Sequence, residues 1–247
     1  SNGAYEKASM ITSLFDRALE IQVEMGCDRE KCRYIPNGIH YEVFSKIPAK
    51  KENGYVDIGA VLRISPIKDV KTLLYAFSQL KERIPNARLH IAGPADDKEY
   101  AKECYDLAKQ LGTEDIYFLG TVNTQEYLQK FDFTVLCSIS EGLPLAVLES
   151  FAAGRPCVVT DVGCCRQLIH GMRGDELGDA GICVPPIFRH ELCNDMERMC
   201  THPRERYQMG ITARKRVEQY FRHEDMIHSY QQVYDEVFRR WQESDSV

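Results

Sequence analysis

Glu141 and Glu149, eight positions apart, are the residues of this chain whose type and spacing best suit chemistry. They flank a Gly-Leu-Pro turn that leads into a predicted helix, and an apolar strand, residues 133–137, comes just before them. The N-terminus of a helix offers unpaired N–H groups and partial positive charge, which suit a diphosphate. Glu149, inside the helix, can accept hydrogen bonds from a ribose, and Glu141, in the loop, from a sugar. The pattern favours a nucleotide-sugar site over its simpler explanation, a capping and a solvated glutamate in an acidic chain.

Two cations follow an earlier predicted strand. Arg63 and Lys68 lie on either side of Pro66, and together they suit two phosphates, although each alone would be an ordinary surface residue. Gly93 and Val122 follow two further strands. Gly93 is either a turn glycine or a point of close backbone approach to a ligand, and Val122 offers its backbone to a base or is a buried loop valine.

The elements that must position these residues alternate regularly. Apolar strands at 55–62 and 87–92 and near residues 117, 135, 158 and 182 are separated by amphipathic helices, of which Val70–Arg83 is the clearest. This order predicts an α/β fold with a parallel sheet covered by helices on both faces. Ligands of such sheets bind beyond the carboxyl ends of the strands, so the candidate residues are expected at one crevice. A shorter strand-helix-strand unit is predicted before residue 36.

Composition excludes several classes of function. The chain has 247 residues, a net charge of −6 and a pI near 5.7, which argues against nucleic acid as a partner. No apolar run is long enough for a membrane span and no signal peptide is recognisable, so a cytoplasmic location is expected. The ten cysteines lack zinc-finger spacing and suit a reducing compartment, where they pack as small hydrophobic residues.

Motifs of other nucleotide enzymes are missing from the sequence. It contains no Gly-x-Gly, no P-loop and no Gly-x-Ser-x-Gly. It also lacks an Asp-x-Asp pair, the usual means of holding a divalent ion to a sugar nucleotide in another fold. We therefore expect a site that uses no metal and no cofactor, in which cationic side chains and a helix N-terminus hold the diphosphate.

Four segments resemble, in order, the donor domain of family 4 retaining glycosyltransferases of GT-B architecture. They are Tyr-Ile-Pro-Asn-Gly-Ile at 34–39, Arg-Ile-Ser-Pro-Ile-Lys-Asp at 63–69, Phe-Leu-Gly-Thr-Val at 118–122, and the long run at 140–163. In residues 66–72 and 138–142 the amino-acid sequence is similar to that of the glycosyltransferases of Pel exopolysaccharide synthesis, a branch that uses UDP-glucose.

The resemblance implies a Rossmann-like domain, the C-terminal half of a GT-B hexosyltransferase. It implies catalytic roles for Arg63, Lys68 and Glu141. Donor binding is implied for the following residues: Gly93, Val122, Leu143, Leu145, Ala146 and Glu149. Relatives often carry glutamate where this chain has Gln167, which puts any role of that position in doubt.

The resemblance also implies a domain organisation. Residues 1–46 would be the remnant of an N-terminal acceptor domain with the interdomain element, 47–224 the donor domain, and 225–247 a helix that crosses back. A glycan acceptor would bind through the N-terminal domain that is not part of this chain, within a membrane-associated synthesis complex. The chain alone is then expected to bind donor without efficient transfer. The last helix is expected to pack on residues 1–40 or to drive formation of a homo-oligomer.

Two alternatives of other classes stay open. A sugar-nucleotide 2-epimerase shares the GT-B shape and would convert the donor instead of transferring its sugar. A non-enzymatic interaction module would keep the fold and bind no nucleotide, with the apolar face of the last helix as its contact surface.

Overall fold

The computed structural model describes residues 2–244 and has alternating strands and helices along most of its length. In chain order the elements are α1 (Asn2–Lys7), β1 (Ile11–Ser13), α2 (Asp16–Glu24), β2 (Cys32–Tyr34), α3 (Tyr41–Phe44), β3 (Val56–Val61), α4 (Val70–Arg83), β4 (Ala87–Ala92), α5 (Lys98–Leu111), β5 (Ile116–Gly120), α6 (Thr124–Leu128), β6 (Phe133–Leu136), α7 (Leu145–Ala152), β7 (Cys157–Thr160), α8 (Cys165–His170), β8 (Gly181–Val184), α9 (Arg189–Thr201), α10 (Pro203–Tyr220) and α11 (His223–Ser244). Two short 3-10 turns lie at Arg29–Lys31 and Pro66–Lys68.

The central sheet has six parallel strands in the order β5-β4-β3-β6-β7-β8. The direction of winding reverses between β3 and β6, which are neighbours in the sheet but distant in the chain. At such a switch point the loops that follow the two strands diverge and leave a crevice beyond their carboxyl ends. The strand order therefore places the expected crevice between the loops after Val61 and Leu136.

Two groups of helices flank this sheet. On one side α4 contacts α5 and α9, and on the other α7 contacts α3 and α10. The predicted α/β fold with a parallel sheet flanked by helices is confirmed, because strands buried on both sides need a helical layer on each. β6 and β7 are buried along their whole length.

Helix α4 shows how the sequence pattern produces the core. Its bounds are those predicted, and its apolar positions recur three and four residues apart, so that they share one face. Leu73, Leu74, Phe77 and Leu80 are fully buried in the main core cluster. Each such side chain contributes about 1.5–3 kcal/mol through burial. This packing fixes the loop before α4, which carries Arg63 and Lys68.

A separate two-stranded parallel sheet of β1 and β2, joined by α2, precedes the main sheet and confirms the predicted strand-helix-strand unit. Helix α11 lies against this region: Arg33 Nη2 donates to both carboxylate oxygens of Glu236, at 2.7 and 2.9 Å. The main-chain N–H of His223 donates to Ile39 O at 2.9 Å. The expected packing of the last helix on residues 1–40 is therefore confirmed.

Gly38 lies at this junction, where two backbone segments of the chain approach each other closely. A Cβ there would lie 2.3 Å from the carbonyl oxygen of Arg222. The proposed domain limits at 46 and 224 and the formation of a homo-oligomer stay predictions, and the end of the last segment, 245–247, lies outside the described residues. No helix within residues 2–244 combines the length and apolar character that crossing a bilayer requires.

Candidate functional site

The loops that follow β3 and β6 form the two walls of the crevice at the switch point. They are joined directly, since the N–H of Ile139 donates to Ile67 O at 2.9 Å and Cys137 Sγ lies 3.2 Å from Lys68 O. Residues about 70 positions apart in the chain thus share one rigid rim.

Lys68 and Glu141 meet across this crevice. Lys68 Nζ lies 2.5 Å from Glu141 Oε1, and the two side chains are only 15% and 10% exposed. The hydroxyl of Ser138, a fully buried residue, donates to the same Glu141 oxygen at 2.6 Å. A second carboxylate oxygen remains for a ligand, so the pair presents a positioned acceptor beside a positioned cation.

The turn after β7 supports Glu141 from behind. Gly163 has a φ of +56°, and a Cβ on it would lie 2.2 Å from the carbonyl oxygen of Glu141. The N–H of Cys164 donates to Gly142 O at 3.1 Å. Gly163 ends the run at 140–163 but is not among the predicted site residues, and the sequence signal for it is a glycine just after the end of a buried strand.

Arg63 occupies the same loop as Lys68 but differs from it in environment. Its side chain is 63% exposed, and its Nη1 pairs with Asp96 Oδ2 at 2.6 Å. The structure does not bring Arg63 into the Lys68–Glu141 contact. Asp96, which is not among the predicted site residues, competes with any ligand anion for this guanidinium.

Gly93 and Val122 follow the carboxyl ends of β4 and β5, which meet at the same edge of the parallel sheet. Gly93 has a φ of +151°, and a Cβ there would lie 1.8 Å from Leu62 O. Its N–H donates to Gly120 O at 2.8 Å. Close approach to the neighbouring loop backbone therefore accounts for glycine at 93, while Val122 is half-buried beyond β5.

Helix α7 points its N-terminus at the crevice. Its N-cap is Pro144, and no side chain caps it. Leu145 and Ala146, at the first two helical positions, are exposed and half-buried, respectively. Leu143 is 6% exposed and belongs to the core, so it can offer only its backbone to a ligand. An uncapped N-terminus with accessible N–H groups is suited to an anion.

Glu149 lies on the next turn of the same helix and is half-buried. Burial raises the pKa of its carboxyl group. Within the described part of the chain its carboxylate has no hydrogen-bond or ion-pair partner. A half-buried carboxylate without a protein partner is poised to accept hydrogen bonds from ligand hydroxyls.

Metal ligation has no counterpart in the described structure: no three His, Cys, Asp or Glu side chains within residues 2–244 converge on one point. All ten cysteines are free thiols, and nine of them are buried. That the site works without a metal or a cofactor stays a prediction.

Comparison with known proteins identifies the family. Residues 43–216 match the family described as glycosyl transferases group 1. The chain belongs to this family. The match covers the whole crevice, from the Arg63 loop to the turn at Gly163, and the group 1 glycosyltransferases are of the GT-B type that the sequence resemblance implied.

Curated relatives place the chain among longer group 1 proteins. It is 28% identical over 247 residues to N-acetyl-α-D-glucosaminyl L-malate synthase of Bacillus anthracis, covering 95% of this chain and 61% of that protein. It is 33% identical over 145 residues to the putative glycosyltransferase EpsF of Bacillus subtilis (strain 168), covering 54% of this chain and 37% of EpsF. The chain therefore spans less than two thirds of the length of these relatives.

Solved structures share the fold. Anabaena Alr3699/HepE in complex with UDP and glucose superposes with a TM-score of 0.79 at 18% identity, over 94% of this chain and 64% of that one. The C-terminal domain of a group 1 glycosyl transferase, LpcC from Francisella tularensis, gives a TM-score of 0.64 at 21% identity, over 75% of this chain and 99% of that one. At these identities the likeness establishes the architecture and not the ligand.

Proposed function

We propose that this chain is the donor-binding part of a hexosyltransferase that takes its sugar from a nucleoside diphosphate sugar. The observation that carries the proposal is the convergence, at the switch point, of the Lys68–Glu141 pair, the uncapped start of α7 and the unpartnered carboxylate of Glu149. Cation, amide dipoles and two carboxylate acceptors match a diphosphate with hydroxylated groups on both sides.

Each group has a role in this proposal. Lys68 and, once released from Asp96, Arg63 stabilise negative charge on the departing diphosphate, an effect of about 3 kcal/mol for a well-placed donor. Backbone N–H groups of Leu143, Leu145 and Ala146 bind phosphate or sugar oxygens. The carboxylates divide the hydroxyls between them: Glu149 accepts from the ribose, and Glu141 orients the sugar and stabilises an oxocarbenium-like centre.

The finer assignments rest on resemblance. The Pel-like sequence at 66–72 and 138–142 supports UDP-glucose as the donor, transfer with retention, and a role in polysaccharide or glycoconjugate synthesis. HepE supports a uridine nucleotide, because it was solved with UDP and glucose. Backbone groups at Val122 and the loop of Gly93 would face the base. A glycan acceptor would bind to the longer protein's other domain, in a complex at the membrane, on its cytoplasmic side.

One observation favours the interaction module as a second candidate. Tyr234 and Phe238 on α11 are 71% and 55% exposed, and exposed aromatic side chains are typical of contact surfaces. This candidate requires no nucleotide binding, so titration with UDP distinguishes an interaction module from a donor-binding domain. Incubation with UDP-glucose, followed by analysis for the 2-epimer, tests the epimerase alternative.

Calorimetric titration with UDP and UDP-glucose in EDTA tests the proposal. Wild-type protein is expected to bind both, and Glu149→Ala to bind UDP about 10- to 100-fold more weakly, since a hydrogen bond to a charged group contributes about 1.5–3 kcal/mol. Glu82→Ala, which removes an exposed helical glutamate far from the crevice, is the matched control and should bind like wild type. Absence of UDP binding by the wild type, or equal binding by Glu149→Ala, would overturn the proposal.

A further inference from the structure

A second cavity lies at the other end of α7. It has a volume of about 580 Å³ and is lined by one face of α10, by the turn at Gly154 and Arg155, and by the segment 47–49 that precedes β3. Because α7 has eight residues, about 12 Å of helix separates this cavity from the crevice at its N-terminus. It is distinct from the candidate donor site and nothing in the proposed function uses it.

Arg155 forms the inner wall of the cavity and is only 6% exposed. Its Nε donates to Leu128 O at 3.0 Å, and one Nη2 hydrogen to Pro48 O at 2.7 Å. No carboxylate of the described residues forms an ion pair with it. A guanidinium has five N–H donors, so these two bonds leave both charge and donors over.

Arg214 adds a second guanidinium of the same kind. Its Nε donates to Ala152 O at 3.1 Å, at the end of α7, and its Nη2 lies beside Gly154, where a Cβ would be 3.0 Å away. Burial, and then the charge of Arg214, lower the pKa of Arg155 to about 10. The two positive charges therefore act on each other, and the charge of Asp132 offsets this effect on Arg155 only in part.

The rest of the lining sets the balance of charge. Lys215 brings a third cation, and Glu218 is the one carboxylate among the described residues of the lining, which leaves three positive charges against one negative. Cations near the end of a helix also offset the partial negative charge of its last carbonyl groups. The Nε groups of the two arginines do this, that of Arg155 at the end of α6 and that of Arg214 at the end of α7. That function accounts for the Nε groups, and Pro48 O accepts one Nη2 hydrogen of Arg155, but neither contact gives an acceptor to the other Nη hydrogens of the two arginines.

We propose that this cavity is a binding site for a phosphate group of a small phosphorylated molecule. Guanidinium forks match phosphate oxygens in bidentate geometry, and Arg214 with Arg155 offers two such groups to one anion. Tyr207 and Ile211 supply an apolar wall for the organic part, and the volume lies in the range of small-molecule sites. Arg155 also holds Pro48, so a bound anion would contact the segment that connects β2 and α3 to the sheet.

NMR amide shifts of the whole chain during titration with inorganic phosphate test this site, with sodium chloride at equal ionic strength as the reference. Saturable shifts are expected at Gly154 and Gly210, with an apparent Kd of about 1 mM or below. Arg214→Gln should weaken this response at least about tenfold, whereas Arg204→Gln, which removes an exposed cation elsewhere on α10, should leave it unchanged. Non-saturating shifts, or shifts that survive Arg214→Gln, would overturn the proposal.

The same spectra separate this site from the candidate donor site, because UDP is expected to shift Ala146 and Glu149 in wild type and in Arg214→Gln alike. A phosphate group can come from a free metabolite or from a lipid headgroup. Glycerol 3-phosphate, and vesicles of phosphatidylcholine with and without phosphatidylglycerol, distinguish these sources. Response to the soluble ester alone identifies a metabolite site, response to anionic vesicles alone identifies a lipid site, and response to neither overturns the proposal.

Discussion

The two ends of the central sheet each hold a carboxylate away from bulk water, but they treat it in opposite ways. At the amino end Asp57 is 2% exposed, with Lys50 Nζ at 2.8 Å, Arg88 Nε at 2.7 Å and His90 Nε2 at 2.9 Å. Burial alone would raise the pKa of Asp57, but the hydrogen bonds from His90, Arg88 and Lys50 outweigh it and hold the pKa well below its usual range. At the carboxyl end Glu149 has a pKa raised by burial and no such partners.

The difference separates structure from function. A buried carboxylate whose lone pairs are all used stabilises the fold and has nothing left for a ligand. One that is half-buried and unpartnered carries a cost in the free protein, which ligand hydroxyls can offset. The comparison predicts that substitutions at Asp57 act on stability and substitutions at Glu149 act on binding.

Asp57→Asn should have the largest effect. Removing one partner from a buried ionic network leaves Arg88 without its anion and Lys50 with Asp132 alone, and the free energy of unfolding should fall by about 3–5 kcal/mol. Urea denaturation measures this change, and Asp106→Asn, at an exposed aspartate of α5, is the control. UDP affinity of the folded protein should stay within about twofold of wild type.

Acid provides an independent check on Asp57. Because its pKa in the folded protein is lowered, its contribution is complete above the ordinary value of 3.8 and is lost as the pH falls further, through the folded pKa. The stability difference between wild type and Asp57→Asn should therefore be constant from pH 7 to about pH 5 and shrink below pH 4. A difference that instead grows in acid would mean that the network is not what stabilises this end of the sheet.

Gly163→Ala should have the next largest effect, and on the crevice. A Cβ at this position meets the carbonyl oxygen of Glu141 at 2.2 Å, so the Glu141 loop has to move. We expect UDP-glucose affinity to fall about tenfold, with a smaller loss for UDP, because the proposed function places Glu141 at the sugar. Calorimetry measures both ligands.

Gly112→Ala is the matched control for that substitution. Gly112 has a φ of +62°, close to the +56° of Gly163, but a Cβ there meets nothing within 4 Å. Both variants carry the same backbone strain of about 1–2 kcal/mol, so only the contact with Glu141 differs. Equal binding by the two variants would contradict a supporting role for Gly163.

Asp96→Asn tests the contrast between the two cations of the β3 loop. Lys68 is already held by Glu141, whereas exposed Arg63 is held by Asp96, so removing the Asp96 charge should free Arg63 for the diphosphate. UDP affinity should rise about two- to threefold, since exposed ion pairs contribute at most about 1 kcal/mol. Glu103→Gln, which breaks the exposed pair with Lys71, should have no effect. Weaker binding by Asp96→Asn would show that Asp96 itself contacts the donor.

The sequence predicted the parts of this molecule that depend on local periodicity. The bounds of α4 and β4 follow from apolar spacing, and Lys68 and Glu141 were predicted at one crevice because both follow strands of a parallel sheet. His90, which lies on β4, contacts Asp57 through its Nε2 at 2.9 Å.

Contacts between distant loops could not be predicted from apolar spacing or strand order. Asp96 forms an ion pair with Arg63, 33 positions away in the chain, and Gly163 packs on Glu141 from the turn after another strand. Neither contact leaves a periodic signal, because each depends on how two irregular loops bend. The partners of Asp57 and the pairing of Arg155 with Arg214 depend likewise on the three-dimensional arrangement.

Glu149→Gln should have the smallest effect on the free energy of unfolding. The sign of that change distinguishes a binding role for Glu149 from a structural role. Its raised pKa in the folded protein means that the ionised form is disfavoured there, so glutamine should increase the free energy of unfolding at pH 7, by less than about 1 kcal/mol because the group is half-exposed. The gain should vanish as the pH falls below the ordinary value of 4.5, where the wild-type carboxyl is protonated. Denaturation at pH 7 and pH 4 measures it. A variant that is more stable yet binds UDP more weakly would show that the carboxylate is kept for a ligand, whereas lower stability at pH 7 would assign Glu149, like Asp57, to the fold.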